Sequence, residues 1–126
     1  MRTTTAAIVI RGSRILLALR KPGGAIGGKW EFPGGKARRH ETAKQALARE
    51  LSEELSTPAT VGDRVGSVQF DNGSQRYDLE AYSVEIGEVG DTPMHVEVRW
   101  IPIAALGTYD LADSDRVLAR SLGLIE

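Results

Sequence analysis

Apolar and polar positions change rhythm several times along the chain, and each rhythm predicts an element. Thr3 to Ile10 mixes β-branched and small apolar residues and predicts a strand. Arg11-Gly12-Ser13-Arg14 predicts a turn and Ile15 to Leu19 a second strand, so the chain opens on a hairpin. Arg20 to Lys29 holds four glycines and one proline, the composition of a mobile loop. Trp30-Glu31-Phe32 predicts a short extended piece, ended by Pro33-Gly34-Gly35. Thr42 to Ser56 is rich in Ala, Leu, Glu, Lys and Gln and predicts a helix that Pro58 terminates. Glu41 and Thr42 stand at its start, where an acid or a cap suits the helix dipole. Val61 to Phe70 and Arg76 to Ile86 predict two strands, joined as a hairpin by Asp71-Asn72-Gly73-Ser74. Gly87 to Met94 follows as a loop, Val96 to Ile101 as a strand, and Ile103 to Leu106 as one helical turn. Asp113 to Leu122 predicts a last helix, capped by Asp113 or Ser114.

Strands and helices interleave, with hairpins as well as crossovers. The expected class is α/β or α+β, a mixed sheet held between helices. A chain of 126 residues without repeats, linkers or low-complexity tracts suits one domain over residues 1–126. Hydrophobic residues make up 41% and charged ones 26%, an ordinary soluble composition. Ala6 to Ile10 is too short an apolar run for a leader or a membrane span, so no membrane contact is expected and the default compartment is the cytoplasm.

Charge and residue usage narrow the chemistry. A formal net charge of −1 gives no footprint for duplex nucleic acid, which rewards a strongly basic face. The absence of cysteine excludes disulfides, thiolate-bound zinc and thiol catalysis. Two histidines, His40 and His95, argue against a multi-histidine metal site. A metal site would have to be built from carboxylates, which favours hard ions such as Mg²⁺ or Mn²⁺.

The central helix is the informative segment. At 100° per residue, Glu50, Glu53 and Glu54 fall within one arc of about 100°. Ala43, Ala46 and Leu47 project into the same half of the helix, with Leu51 and Leu55 beside them. Lys44, Gln45, Ala48, Ser52 and Ser56 face the other way. Three carboxylates therefore lie on or beside the face that should pack. Glu50 and Glu54 are like charges one turn apart, unfavourable by roughly 0.2–0.5 kcal/mol even when solvated. Burial without a partner costs more, and a divalent cation removes the conflict. A solvated acidic helix face is the other meaning of such a cluster. Arg49 neighbours Glu53 one turn on and can partly neutralise it. Before the helix, Gly34-Gly35-Lys36 leads into the basic run Arg38-Arg39-His40. Glycines let backbone groups approach a ligand closely, and Lys36 can neutralise phosphate. Alone this is more often a turn and a solvated basic run than a phosphate site.

Together the two segments spell Gly35-x5-Glu41-x7-Arg49-Glu50-Leu51-x-Glu53-Glu54. This closely resembles the Nudix box, and all six of its charged or glycine positions from Gly35 to Glu54 are present. The preceding Trp30-Glu31-Phe32-Pro33-Gly34-Gly35-Lys36 resembles the MutT branch, whose members clean oxidised nucleotides or cut pyrimidine triphosphates. The resemblance implies an α/β/α sandwich with a central mixed sheet. It also implies a Mg²⁺-dependent (or Mn²⁺-dependent) cut of a small nucleoside triphosphate to monophosphate and pyrophosphate, by a monomer or a homodimer. Glu50 and Glu54 would then hold the metal, with Glu53 as ligand or base and the Gly34 carbonyl completing the shell. Arg49 would orient the glutamates, Glu41 would support the loop, and Lys36 would lie near the phosphates. Arg20 resembles an arginine that approaches the phosphates or the base. Phe32 and Phe70 are placed to flank a base, and Asp113 stands where relatives carry an Asn or Asp that reads the base edge. Each of these also has a plain structural role: a solvated strand end, a core aromatic, a helix cap.

Three positions depart from the pattern. The glycine and aliphatic residue that close the box are Ser56 and Thr57 here, and serine at a left-handed helix end should cost stability. Many relatives also carry a glutamate six residues before the tryptophan of a pair like Arg99-Trp100, serving the metals or acting as base. Here that position is Met94, and Glu97 is the nearest substitute. The expected substrate is an oxidised purine nucleotide such as 8-oxo-dGTP, against CTP or 5-methyl-dCTP. The Pro or Tyr that branches acting on ADP-ribose or dinucleoside polyphosphates carry beyond the box is not matched, since Asn72 and Ser74 fall there. A silent nucleotide-binding module is a third reading, which the intact Glu50, Glu53 and Glu54 count against.

Overall fold

Strand alternation decides how this chain layers. The computed structural model describes residues 2–126. Its elements are β1 (Arg2–Ile8), β2 (Ile10–Arg11), β3 (Arg14–Arg20), β4 (Trp30–Glu31), α1 (Ala43–Leu55), β5 (Ala59–Asn72), β6 (Gln75–Ile86), β7 (His95–Pro102), a 3₁₀ helix (Ile103–Thr108) and α2 (Asp113–Ser121). Ala7, Val9, Leu16, Tyr82 and Val84 face Leu47, Leu51 and Leu55 of α1. Their neighbours Ala6, Ile8, Ile15, Leu17, Leu79 and Ala81 face the other way, onto Leu118 and Ala119 of α2. Period-two strands are thus apolar on both faces, because a helix covers each. The result is the expected α/β/α sandwich.

The sheet layer is divided in two. One sheet has three strands in the order β1-β6-β5, with β1 parallel and β5 antiparallel to β6. The other is antiparallel and centres on β3, which pairs with β7 along one edge and with β2 and β4 along the other. The opening hairpin is therefore shorter than the pattern predicts. The expected strand Thr3 to Ile10 breaks at Val9: β1 pairs with β6, and only Ile10 and Arg11 turn back onto β3. An apolar run cannot reveal a strand that changes sheets midway, since it carries no information on which strand each half pairs with.

Other boundaries hold to within a few residues. Thr42 caps α1 in a reciprocal pair: its hydroxyl accepts from the Gln45 N–H at 3.1 Å while the Gln45 side chain accepts from the Thr42 N–H at 2.9 Å. The expected cap of the last helix is corrected. Ala112 is the N-cap residue, without a side-chain bond, and Asp113 lies inside the first turn. Pro33 to Ala37 runs antiparallel beside β1, with the Ala7 and Thr5 N–H groups donating to the Pro33 and Gly35 carbonyls at 2.7 and 2.8 Å. That seam ties the glycine pair to the sheet directly ahead of α1.

Ser56 ends α1 at φ 49°, ψ 45°, alone among the described non-glycine residues in having a positive φ. A left-handed residue with a Cβ costs about 1–2 kcal/mol. The Ser56 hydroxyl offsets part of this by donating to the Asp91 carbonyl at 2.8 Å, a neutral bond worth about 0.5–1.5 kcal/mol. The strain is the larger of the two, so Ser56→Gly should stabilise the fold by about 0.5 kcal/mol. Chemical denaturation of the two proteins measures this, and a loss of stability would mean that the Asp91 bond dominates.

Candidate active site

One face of α1 carries both core and chemistry. Ala46, Leu47, Leu51 and Leu55 are buried, and Glu54 is buried among them at 5% exposure. Glu50 is half-buried, while the Glu53 side chain keeps 45% of its surface. The arc expected to hold three glutamates therefore spreads them by depth. Burial pushes the Glu54 carboxyl far above the ordinary carboxylate range, helped by the adjoining Glu50 carboxyl and the charge of Glu31. Its donor is the Gly34 N–H, at 3.4 Å.

Arg49 organises the segment around it. Its Nε and Nη2 grip the Glu41 carboxylate at 2.7 and 2.9 Å, and its Nη1 donates to Glu50 at 2.9 Å. Glu53 lies 3.5 Å from the same Nη1, and the Lys36 carbonyl accepts from Nη2 at 3.1 Å. This two-pronged bond, with the Arg38 N–H, holds the Glu41 carboxyl down at about 2. The arginine thus pins the glycine–lysine loop, Glu41 and the helix to one another.

Close approach explains the glycines. A Cβ on Gly34, at φ 146°, would lie 2.2 Å from the Thr5 carbonyl oxygen. A Cβ on Gly35 would lie 2.5 Å from the Glu50 carboxyl carbon. No side chain fits at Gly34, and one at Gly35 would push the Glu50 carboxylate out of place. While the Pro33 and Gly35 carbonyls bond to β1, no donor among the described residues reaches the Gly34 carbonyl between them.

Beside this seam opens a cleft of about 600 Å³. Gly34, Gly35 and Lys36 line one part of it, and Arg20, Glu31, Phe32, Phe70 and the α2 start from Ala112 to Asp115 line the rest. Phe70 is half-buried and stacks on Tyr77 at 5.3 Å between ring centres, and the Lys36 ammonium lies 5.2 Å from the Tyr77 ring centre. Phe32 is almost wholly buried and belongs to the core as well as to the wall. Asp113 is exposed at the rim. The structure does not bring Glu97 here. Its carboxylate takes the Arg99 Nε at 2.6 Å, outside the cleft lining, because Arg99 follows two residues later on the same strand face. Met94 is exposed.

Two acids in the cleft wall went unmarked in the sequence. Asp115 is buried and accepts from the Phe32 N–H at 2.8 Å and from Ser114 at 3.2 Å. Burial pushes its carboxyl up to about 7 despite those donors, with the Glu31 charge adding to the rise. Glu31 bonds to Arg20 at 3.2 Å and to His95 Nε2 at 2.8 Å. Its place beside Phe32-Pro33-Gly34 was the one signal available; Asp115 had only a helical spacing that equally fits a surface acid.

Among the described residues, no three acidic or histidine side chains already form a metal cage. The donor set nonetheless fits a hard divalent ion. Glu54 is a buried carboxyl beside a second carboxyl, without a cation of its own, and the Gly34 carbonyl lacks a donor.

Comparison with known proteins agrees with this geometry. The Nudix domain pattern matches residues 1–122. A Mycobacterium tuberculosis protein named "Putative 8-oxo-dGTP diphosphatase 2" is 39% identical over 127 residues, covering 93% of this chain and 87% of that one. The Escherichia coli CTP pyrophosphohydrolase is 44% identical over 84 residues, covering 67% of this chain and 62% of that one. The solution structure of the E. coli ORF135 protein superposes with a TM-score of 0.81 at 34% identity, covering 96% of this chain and 91% of that one. The MutT protein of Methanosarcina mazei Go1 shares the fold, with a TM-score of 0.84 at 24% identity over 97% of this chain and 92% of that one. The chain belongs to the Nudix family of hydrolases. Within that family it is a MutT-like enzyme. No helix among the described residues is long and apolar enough to cross a membrane.

The raised carboxyls set a pH dependence of stability. Glu54 and Asp115 hold their protons more tightly folded than unfolded. Folding then takes up protons, so stability falls as pH rises above the ordinary carboxylate range. For Asp115 the window runs from 3.8 to about 7. Glu41 acts in the opposite sense, below 4.5. The melting temperature of metal-free protein should therefore fall between about pH 5 and about pH 8. Glu54→Gln should flatten that slope and melt a few degrees higher at the upper end. Calorimetry across this range checks both statements, and an unchanged slope in the variant would refute the assignment to Glu54.

Proposed function

We propose that this enzyme is a Mg²⁺-dependent nucleoside triphosphate pyrophosphohydrolase, converting an oxidised purine nucleotide such as 8-oxo-dGTP to the monophosphate and pyrophosphate. The observation that carries the reading is one cleft with two chemically different ends. Gly34, Gly35 and Lys36 offer backbone and an ammonium to phosphates beside the buried Glu54. Phe32, Phe70, Asp113 and Asp115 offer stacking and polar edges to a base. With its carboxyl near 7, Asp115 carries a proton part of the time and can both donate and accept. An 8-oxopurine presents a donor and an acceptor side by side, which such an edge matches.

Glu50, Glu54 and the Gly34 carbonyl would hold the ion, with Glu53 at its margin. When bound, the ion neutralises phosphate charge and lowers the pKa of water. The remaining roles fall to the chain. Lys36 and Arg20 bind phosphate oxygens and hold the triphosphate in line. Arg49 fixes Glu50 through Nη1 and holds the loop against the helix through Glu41. Glu53 is the box glutamate that keeps the most solvent contact, and we assign it the proton of the attacking water. Glu97, held by Arg99, has no part in this scheme. Acting on the soluble nucleotide pool, the enzyme would work in the cytoplasm.

A second reading, hydrolysis of CTP or 5-methyl-dCTP, is favoured by the likeness to the E. coli CTP pyrophosphohydrolase. An ionised Asp113 or Asp115 accepts from the exocyclic amine of cytosine.

The test is incubation with Mg²⁺ and a panel of dGTP, 8-oxo-dGTP, CTP, 5-methyl-dCTP, ADP-ribose and diadenosine polyphosphates, with pyrophosphate and orthophosphate assayed separately. Preferred pyrophosphate release from 8-oxo-dGTP is expected, and preference for a cytidine nucleotide would establish the second reading. Orthophosphate release, or turnover of ADP-ribose alone, would overturn both. In the same assay Glu53→Gln should lower kcat by roughly 10²- to 10⁴-fold while remaining folded. A variant that kept its turnover would remove Glu53 from the chemistry.

A further inference from the structure

His95 is a buried polar residue that the scheme above leaves unused. Its side chain is 5% exposed, Nε2 lies 2.8 Å from a Glu31 carboxylate oxygen, and Nδ1 has no partner among the described residues. The same carboxylate receives Arg20 Nη1 at 3.2 and 3.4 Å. Strand register explains the meeting. Arg20 ends β3 and pairs with His95 of β7, across a bulge between Leu19 and Arg20. Glu31 lies on β4, at the other edge of β3. Three neighbouring strands thus deliver a histidine, an arginine and a glutamate to one point at the cleft wall.

A buried histidine here costs desolvation, and a core aliphatic would fill the same space. The polar alternative supplies one thing, a donor that fixes the Glu31 carboxylate. Glu31 lies close enough to both Glu54 and Asp115 for its charge to act on each. It lines the cleft together with Arg20. Arg20 keeps 42% of its side-chain surface; its Nε is buried without a partner among the described residues, so the exposed end of the guanidinium is what is left to meet an incoming ligand. Left to itself, an exposed arginine samples many rotamers and loses that freedom on binding.

We propose that His95 is a positioning residue: it locks Glu31, and Glu31 locks Arg20 in the orientation that binds the nucleotide. The proposal rests on the reading of the cleft as a nucleoside triphosphate site. It assigns His95 to substrate binding and leaves the bond-breaking step to the box glutamates. The donor is the Nε2–H of the ring, which a glutamine amide nitrogen reproduces in place and a leucine side chain does not.

The test compares His95→Leu, His95→Gln, Arg20→Ala and the double variant Arg20→Ala/His95→Leu. For each, kcat and KM are measured on the preferred triphosphate, and Kd by calorimetry for the α,β-methylene analogues of dGTP and CTP. His95→Leu should raise KM and analogue Kd about tenfold, the scale of a lost hydrogen bond to a charged group, with kcat within about twofold. His95→Gln should restore most of the loss. The double variant should bind no more weakly than Arg20→Ala, because two groups acting through one contact do not add. Four results would overturn the proposal: an unchanged Kd in His95→Leu, a glutamine variant as weak as the leucine one, additive losses, or a fall confined to kcat. Absence of wild-type turnover on every triphosphate would defeat the hydrolase reading alone, since the analogue Kd values would still judge the role of His95.

Discussion

The carboxyl of Glu54 sits where a globular core wants a leucine, and much of the neighbourhood follows from that burial. It lies on the α1 face shared by Leu47, Leu51 and Leu55, under a backbone close enough for the Gly34 N–H to reach it. Bringing backbone that near requires a glycine at 34, where a Cβ would collide with β1, and one at 35 leaves the Glu50 carboxylate undisturbed. Holding the loop down requires an anchor, which Arg49 supplies by gripping Glu41, Glu50 and the Lys36 carbonyl together. The spaced residues of the box are thus one mechanical unit built around an acid kept out of water.

Such an arrangement trades stability for function. A buried carboxyl beside a second carboxyl is costly by itself, and it persists because the apolar packing of α1 onto β1, β3 and β6 overdetermines the helix position. In the proposed function the acid would be a poised ligand, holding its proton when alone and giving it up to a divalent cation. Asp115 carries a milder form of the same device at the other end of the cleft. Glu31, whose charge acts on both, is tied to Arg20 and His95. Three acids thus sit at or beside the cleft, Glu54 with one donor and Asp115 and Glu31 with two each.

Much of this was legible in the sequence because it depends on local spacing. Helical periodicity put Glu50, Glu53 and Glu54 in one arc, and glycines beside a lysine marked a place where backbone can approach a ligand. The capped helix, the hairpin at Gly73 and the two-faced strands also follow from neighbours a few residues apart. The box spacing was specific enough to imply the family, which comparison with known proteins establishes. Even the departure at Ser56 was visible as a left-handed position lacking its glycine.

What the sequence could not decide is which distant residues meet. The split of the first strand between two sheets and the burial of Asp115 against the Phe32 N–H both arise from contacts between segments far apart in the chain. The same holds for the meeting of Arg20, Glu31 and His95, which three strands and a bulge bring together. Periodicity reports which face a side chain takes on its own element. Depth, partner and charge state are properties of what packs against that face, and only the tertiary structure supplies them.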